Sequence, residues 1–244
     1  MFEKQSYADN GYLIKKNFFD TKLIDKVFTE LQNENDVVKN KLLDLIKSGL
    51  FDKKDLAIEN DKIKYLKNPQ IYFSSIKHLI QSSLLELSEL LIGENVYVDL
   101  IELHQKYPGA SETPPHQDNF YFCLEKGQSL TAYIPLNDQN YKNGALAVLP
   151  GSHKMELDHH YSKVPGFSSG VILSDEQKNN VDNYILEAGD LSLHHCNIVH
   201  LAPPNISKKT RLNIAIRIRS LNDKIDSRKL EKYKKFRENS LRVT

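Results

Sequence analysis

The chain has 244 residues, a formal net charge of +1, 40% hydrophobic residues and 27% charged residues. So even a balance leaves no electrostatic footprint for nucleic acid or an anionic membrane surface. No run approaches the roughly 18 apolar residues of a membrane span, and the size suits one globular domain over 1–244.

The segment Met1-Phe-Glu-Lys-Gln-Ser-Tyr7 lacks the basic and then apolar run of a signal peptide. Cys123 and Cys196 both sit in apolar, strand-like runs. Together these features predict a reduced, cytoplasmic protein without a disulfide framework, in which both cysteines are small core residues. Asp20 can cap a helix through about Asn33, where Leu23, Ile24, Val27, Phe28 and Leu31 recur at helical spacing. Val38, Leu42, Leu45 and Ile46 predict a second helix ending near Gly49. Residues 51–70 are charged and without period, and read as loop. Ile76, Ile80, Leu84, Leu87 and Leu91 then hold a helical stripe, with Gly93 as its C-terminal cap.

From Val96 the character changes. β-rich runs appear at about 96–105, 118–124, 129–136, 145–149, 184–187, 190–196 and 211–219, separated by Pro-, Gly- and Asn-rich breaks. Many short strands without intervening helices point to a sandwich or jelly roll. The expected fold is mainly β with flanking helices: a double-stranded β-helix, cupin-like core over 96–219, with a helical front (1–95) packed on one sheet. A charged tail (220–244) reads as a solvated terminal helix with a partial apolar face of Ile225, Leu230, Tyr233 and Phe236. Residues 153–183 form a polar insertion long enough to serve as a lid or substrate loop. Nothing in the sequence speaks to oligomeric state.

The chemistry is concentrated in His116-Gln-Asp118 and a distant histidine. On a strand, positions i and i+2 share a face, so His116 and Asp118 can reach one metal. His200, from a facing strand, would complete three ligands and leave the far side of the ion open. Two histidines and one carboxylate with open positions suit non-haem Fe(II) oxygenases. A His-x-Asp pair alone is weak evidence, because short pairs recur by chance. Further along, Arg211 opens the alternating run Arg211-Leu-Asn-Ile-Ala-Ile-Arg-Ile-Arg219. Its planar fork suits the far carboxylate of a chelating keto acid. His194 and His195, read as part of the same strand as His200, compete for the third position; His159 and His160 read as solvated. His153 reads as a turn-fixing hydrogen bonder and His104 as an ordinary buried histidine or a pocket residue.

With these residues assembled, the chain resembles the phytanoyl-CoA dioxygenase family of Fe(II)/2-oxoglutarate-dependent oxygenases. The resemblance runs from Tyr7-Ala-Asp-Asn-Gly-Tyr-Leu-Ile14 to about Arg219. It takes in Pro115-His-Gln-Asp-Asn-Phe-Tyr121, Asn143-Gly-Ala-Leu146, Pro150-Gly-Ser-His153 and Gly189-Asp190. It implies His116, Asp118 and His200 as iron ligands and catalytic residues, and Arg211 as the 2-oxoglutarate anchor. Gln105 and Thr131 are implied as helpers that hold 2-oxoglutarate, with Tyr133 on the face of Thr131. Asn119, Tyr121, Tyr133 and Arg217 are expected nearest the substrate; for Arg217 a rim salt bridge is the equal alternative. The implied reaction consumes O2 and 2-oxoglutarate, releases succinate and CO2, and hydroxylates an unactivated C–H bond of a small organic metabolite. Two alternatives stand beside it: a cupin-like metal enzyme that uses no 2-oxo acid, and a catalytically degenerate metal-binding module.

Overall fold

The computed structural model describes residues 2–155, 157–162, 164 and 168–243. Residues 156, 163 and 165–167 of the predicted insertion, together with Met1 and Thr244, lie outside the described residues. Helix α1 (Phe2–Asn10) and strand β1 (Tyr12–Lys15) open the chain, followed by α2 (Thr21–Lys47), the hairpin β2 (Leu56–Glu59) and β3 (Lys62–Lys67), and α3 (Ser82–Ile92). Next come β4 (Val96–Lys106), β5 (Thr113–Gln117), the single turn α4 (Asn119–Phe122), β6 (Ser129–Pro135) and β7 (Ala147–Val148). The insertion carries β8 (His160–Tyr161), β9 (Ser169–Gly170), α5 (Asp175–Asn179) and β10 (Asp182–Asn183). The remainder is β11 (Leu191–His195), β12 (Val199–Ala202), β13 (Arg211–Ser220) and α6 (Ser227–Val243).

Seven antiparallel strands form a large sheet in the order β1-β11-β6-β13-β4-β3-β2. A smaller sheet, β10-β7-β12-β5, faces it, and together they make the jelly roll. Alternation along each strand divides the large sheet into two faces. One carries Leu130, Ala132 and Ile134 of β6, Leu191 and Leu193 of β11, and Leu212, Ile214, Ile216 and Ile218 of β13. These pack against Ile24, Val27, Leu31, Val38 and Leu42 of α2 and Leu84 and Leu91 of α3. Each such side chain contributes about 1.5–3 kcal/mol when fully buried, so the helical layer is fastened to one sheet, as expected. The other face looks toward the small sheet. There Tyr133 packs with Leu146, Val148, Tyr184, Leu186 and Ile198. Among the described residues, no helix is long and apolar enough to cross a membrane.

Several expectations are corrected. The two front helices are one, α2, capped as predicted by Asp20, whose side chain accepts from Lys22 N at 2.7 Å. No Gly or Pro interrupts 31–38, and the buried positions 24, 27, 31, 38 and 42 keep one helical rhythm, with half-buried Asn35 filling the gap. The front is also not purely helical, because β1, β2 and β3 all join the large sheet. The 51–70 loop contains the β2–β3 hairpin, which turns at Asn60 and Asp61, both with positive φ (50° and 60°). A bulge at Ala57/Ile58 breaks its period and hid it. β5 contains two prolines, which an edge strand tolerates and a central one does not. The predicted strand at 118–124 is replaced by the turn α4, and that at 184–187 by the earlier, shorter β10.

Candidate metal centre

His116 and His200 meet across the small sheet, where β5 and β12 pair them directly. Their rings lie 4.1 Å apart, centroid to centroid. Asp118 does not continue β5 as expected. It sits just past the strand in helical geometry (φ −58°, ψ −35°) as the N-terminal flank of α4. The bend carries its carboxylate back: Oδ1 is 3.5 Å from His116 Nε2 and 3.6 Å from His200 Nε2. Among the described residues, His116, Asp118 and His200 form a group of potential metal ligands, with ligand atoms all within 4.8 Å of one another.

The backbone sets the imidazole tautomers. His116 Nδ1 lies 2.8 Å from Pro114 O, and His200 Nδ1 lies 3.3 Å from Ile198 O. A carbonyl only accepts, so each Nδ1 carries the proton and each Nε2 presents a lone pair to the centre. Burial, then His116, pushes His200 down to about 3, so it is neutral at physiological pH. Burial alone would raise the Asp118 carboxyl, but His200 and His116 overcome it and hold it well below the usual carboxylate range. Two imidazole nitrogens and one carboxylate oxygen are a donor set that fits Fe(II).

The large sheet supplies the wall behind the triad. Thr131 and Arg217 are cross-strand partners, as are Thr131 and His194, so all three side chains leave the face that looks toward the triad. Thr131 Oγ1 donates to Asp118 Oδ2 at 3.3 Å, so its hydroxyl serves the ligand carboxylate rather than standing free for a cosubstrate. His194 rather than His195 is the histidine beside the centre, its ring 5.0 Å from that of His200. Both belong to β11 of the large sheet, not to the strand of His200. Burial pushes His194 down to about 4, and among the described residues its Nδ1 has no hydrogen-bond partner. Its parity opposite to Leu191 and Leu193, which face the helices, is the sequence signal for it. His195 turns outward to Tyr7 and His153, and His153 Nε2 reaches Ala8 O at 3.1 Å, tying the turn to α1.

Arg211 is buried on the same face. Its Nη1 donates to Gly144 O at 2.5 Å, and among the described residues its buried Nε has no hydrogen-bond partner. Gly144 has a φ of +75°, and a Cβ there would come within 2.6 Å of Pro203 O, so only glycine fits this approach. A buried guanidinium with a spare donor fits the far carboxylate of 2-oxoglutarate. Gln105 does not belong to this wall. It pairs with Leu212, shares the helix-facing parity of Ile101 and Leu103, and lines a small cavity with Leu31, Asn35 and Tyr107. Its neighbours Glu102, His104 and Lys106 face inward instead. Tyr65 donates to Glu102 at 2.5 Å, and His104 lies 3.8 Å from the same carboxylate.

The opposite side of the triad is built from irregular segments. The α4 turn, in place of the strand expected at 118–124, sends its residues apart. Asn119 closes its own loop, accepting from Leu124 N at 2.9 Å. Phe120 stacks on His159 at 3.9 Å and 2°, so His159 is packed rather than solvated. Tyr121 lies edge-on to His116 at 5.9 Å, and its hydroxyl donates to Ser169 O at 3.2 Å. Arg217 lies over the Phe122 ring at 4.1 Å and pairs with Asp99 at 2.7 Å; Asp99 is the extra residue of a bulge in β4. Tyr133 is committed to the inter-sheet core, with its hydroxyl donating to Gln139 at 2.5 Å. The terminal helix is not simply solvated. Tyr233 and Phe236 of α6 pack edge-on against Phe120 at 5.6 and 5.1 Å. A cavity of about 630 Å3 lies here, lined by Phe120, His159, Tyr233, Phe236, Lys154 and Lys232 among others.

A jelly roll holding a His-Asp-His cluster at the mouth between its sheets, with a buried arginine behind it, defines the class of Fe(II)- and 2-oxoglutarate-dependent oxygenases. The family model described as phytanoyl-CoA dioxygenase (PhyH) matches residues 7–213, and the chain belongs to that family. It is 27% identical over 219 residues to a probable alpha-ketoglutarate-dependent hypophosphite dioxygenase of Stutzerimonas stutzeri, covering 84% of this chain and 73% of that protein. Against the peroxisomal phytanoyl-CoA dioxygenase of Bos taurus it is 25% identical over 225 residues, covering 87% of this chain and 66% of that protein. Its fold matches the crystal structure of EctD from S. alaskensis with 2-oxoglutarate and 5-hydroxyectoine, with a TM-score of 0.70 at 17% identity, over 92% of this chain and 77% of that one.

Proposed function

We propose that His116, Asp118 and His200 hold Fe(II), that Arg211 anchors 2-oxoglutarate, and that the protein hydroxylates an unactivated C–H bond of a small organic metabolite. The observation that carries this reading is the convergence of two Nε2 lone pairs and the Asp118 carboxylate in front of a buried arginine with a spare donor. With O2 and 2-oxoglutarate, the bound iron supplies the oxidising power, and the cosubstrate leaves as succinate and CO2.

The protein's own share is orientation and exclusion. Pro114 O and Ile198 O fix the two imidazoles with Nε2 forward. Thr131 orients Asp118 from behind. Tyr121 shields His116, while Phe122 of the α4 turn packs against Arg217 of the wall, which pairs with Asp99. In this reading Arg217 shapes the rim as an ion pair. Cys123 and Cys196, both free and buried, support a reducing, cytoplasmic setting. The relatives named as an 11-beta-hydroxylase of 1-deoxypentalenic acid and as phytanoyl-CoA dioxygenases support a small-molecule substrate.

The test is anaerobic titration with Fe(II) and 2-oxoglutarate. A weak visible charge-transfer band is expected, and it should vanish in His200→Ala. No band from well-folded, iron-loaded protein would reject the reading in favour of a metal enzyme without a 2-oxo acid or a binding module.

A further inference from the structure

Lys106 is a buried cation that the roles assigned so far leave unused. It is 6% exposed, and the β4–β13 register sets it directly opposite Arg211, so both side chains leave the same face of the sheet. Its Nζ donates to Pro203 O at 2.5 Å and lies 3.5 Å from Ala202 O, where the chain leaves β12 after His200. Its Cδ and Cε pack on Gly144, where an added Cβ would meet each at 3.0 Å. The Gly144 carbonyl is the one that Arg211 holds. Lys106 and Arg211 therefore flank a single glycine. Among the described residues, each is held by backbone carbonyls and neither is paired with a carboxylate.

Two adjacent buried cations without an acid are unfavourable, because burial penalises each charge and the charges repel. The Nε of Arg211 is in addition buried and, among the described residues, unpartnered. An anion placed between them answers all three observations. We propose that Lys106, together with Arg211, seats the distal carboxylate of 2-oxoglutarate as the second cation of that subsite. This rests on the reading of the site given above.

A pH dependence follows. Burial first, then Arg211 of β13, then Lys64 of β3, pushes Lys106 down to about 7, while Glu112 before β5 acts the other way. An incoming carboxylate favours the charged ammonium, so 2-oxoglutarate binding takes up a proton where free Lys106 is neutral. Affinity is then highest below about pH 7 and falls as pH rises, by up to about tenfold per unit.

The experiment is calorimetric titration of the Mn(II)-loaded protein with 2-oxoglutarate and, separately, with 2-oxopentanoate, which has the same chain without the distal carboxylate. Lys106→Met should weaken 2-oxoglutarate about tenfold or more and leave 2-oxopentanoate unchanged. Wild type should take up a proton with 2-oxoglutarate at pH 8, read as unequal heats in phosphate and Tris, and the variant should not. Unchanged 2-oxoglutarate affinity, or equal weakening of both acids, overturns the proposal. Should Lys106→Met not fold, Lys106→Gln and the wild-type proton count decide, and no uptake overturns it. Wild type that binds neither acid overturns the iron/2-oxoglutarate reading itself, and this inference with it.

Discussion

The two sides of the candidate metal centre are built from different material. Behind the triad stand Thr131, His194, Arg211 and Lys106, all on paired strands of the large sheet. In front stand the α4 turn, the insertion and α6, joined by aromatic contacts between segments far apart in sequence, such as Tyr161 with Phe236 at 4.5 Å. A strand in a paired sheet fixes its side chains to within the pleat, whereas a turn and a terminal helix fix theirs through packing alone. The difference assigns the labour: a rigid wall suits a reaction partner that never changes, and a packed cover suits whatever molecule the enzyme accepts.

The largest effects should come from the triad, which belongs to both sides. Asp118→Ala or His200→Ala leaves two ligands, and iron-dependent succinate formation should fall to background, measured with iron content on the same sample. Behind the triad, Arg211→Ala should raise the 2-oxoglutarate requirement about a hundredfold, from the loss of about 2–3 kcal/mol of charge-assisted hydrogen bonding. An unchanged requirement would mean that the wall does not hold the cosubstrate. Thr131→Val removes the hydroxyl on Asp118 and keeps the shape. It should weaken iron binding about 10- to 100-fold, as loss of a ligand's own partner does. In front, Tyr233→Ala with Phe236→Ala should change the KM for substrate several-fold while leaving 2-oxoglutarate affinity at the wild-type value. Equal loss of both affinities would erase the distinction between wall and cover.

The same division decides how much the sequence could tell. The strands at β4, β6, β11 and β13 were legible because alternation fixes parity, and with it the inward direction of Thr131 and Arg211. By that same rule Gln105 falls outside the wall: it shares parity with Ile101 and Leu103, whose apolar face lies toward the helices. His116 and His200 were legible through motif and spacing, although His200 rides on its own strand in the opposite sheet. Asp118 was placed by strand periodicity, yet the chain turns helical at that residue, and the carboxylate reaches the site by the bend. No local pattern signals a one-turn helix after a proline-rich edge strand. Nor could any periodicity reveal that Phe120 stacks on His159 or that α6 folds back over it, because those contacts join segments distant along the chain.

The smallest expected effect lies one layer further back. α2 packs against the outer face of the sheet whose inner face carries Arg211 and Lys106, and Asp20 caps its first turn. Asp20→Ala removes the acceptor for Lys22 N and should cost about 1 kcal/mol, which for a chain of this size lowers the melting temperature by about 2–4 °C. Because the pairing of β13 with β4 at Arg211 and Lys106 does not depend on the helix end, the 2-oxoglutarate affinity should not move. A melting temperature that falls together with that affinity would show that the helical layer, and not the sheet alone, sets the geometry of the wall. The cosubstrate site would then owe its rigidity to the packing of Ile24, Val27 and Leu31 as much as to the register of its strands.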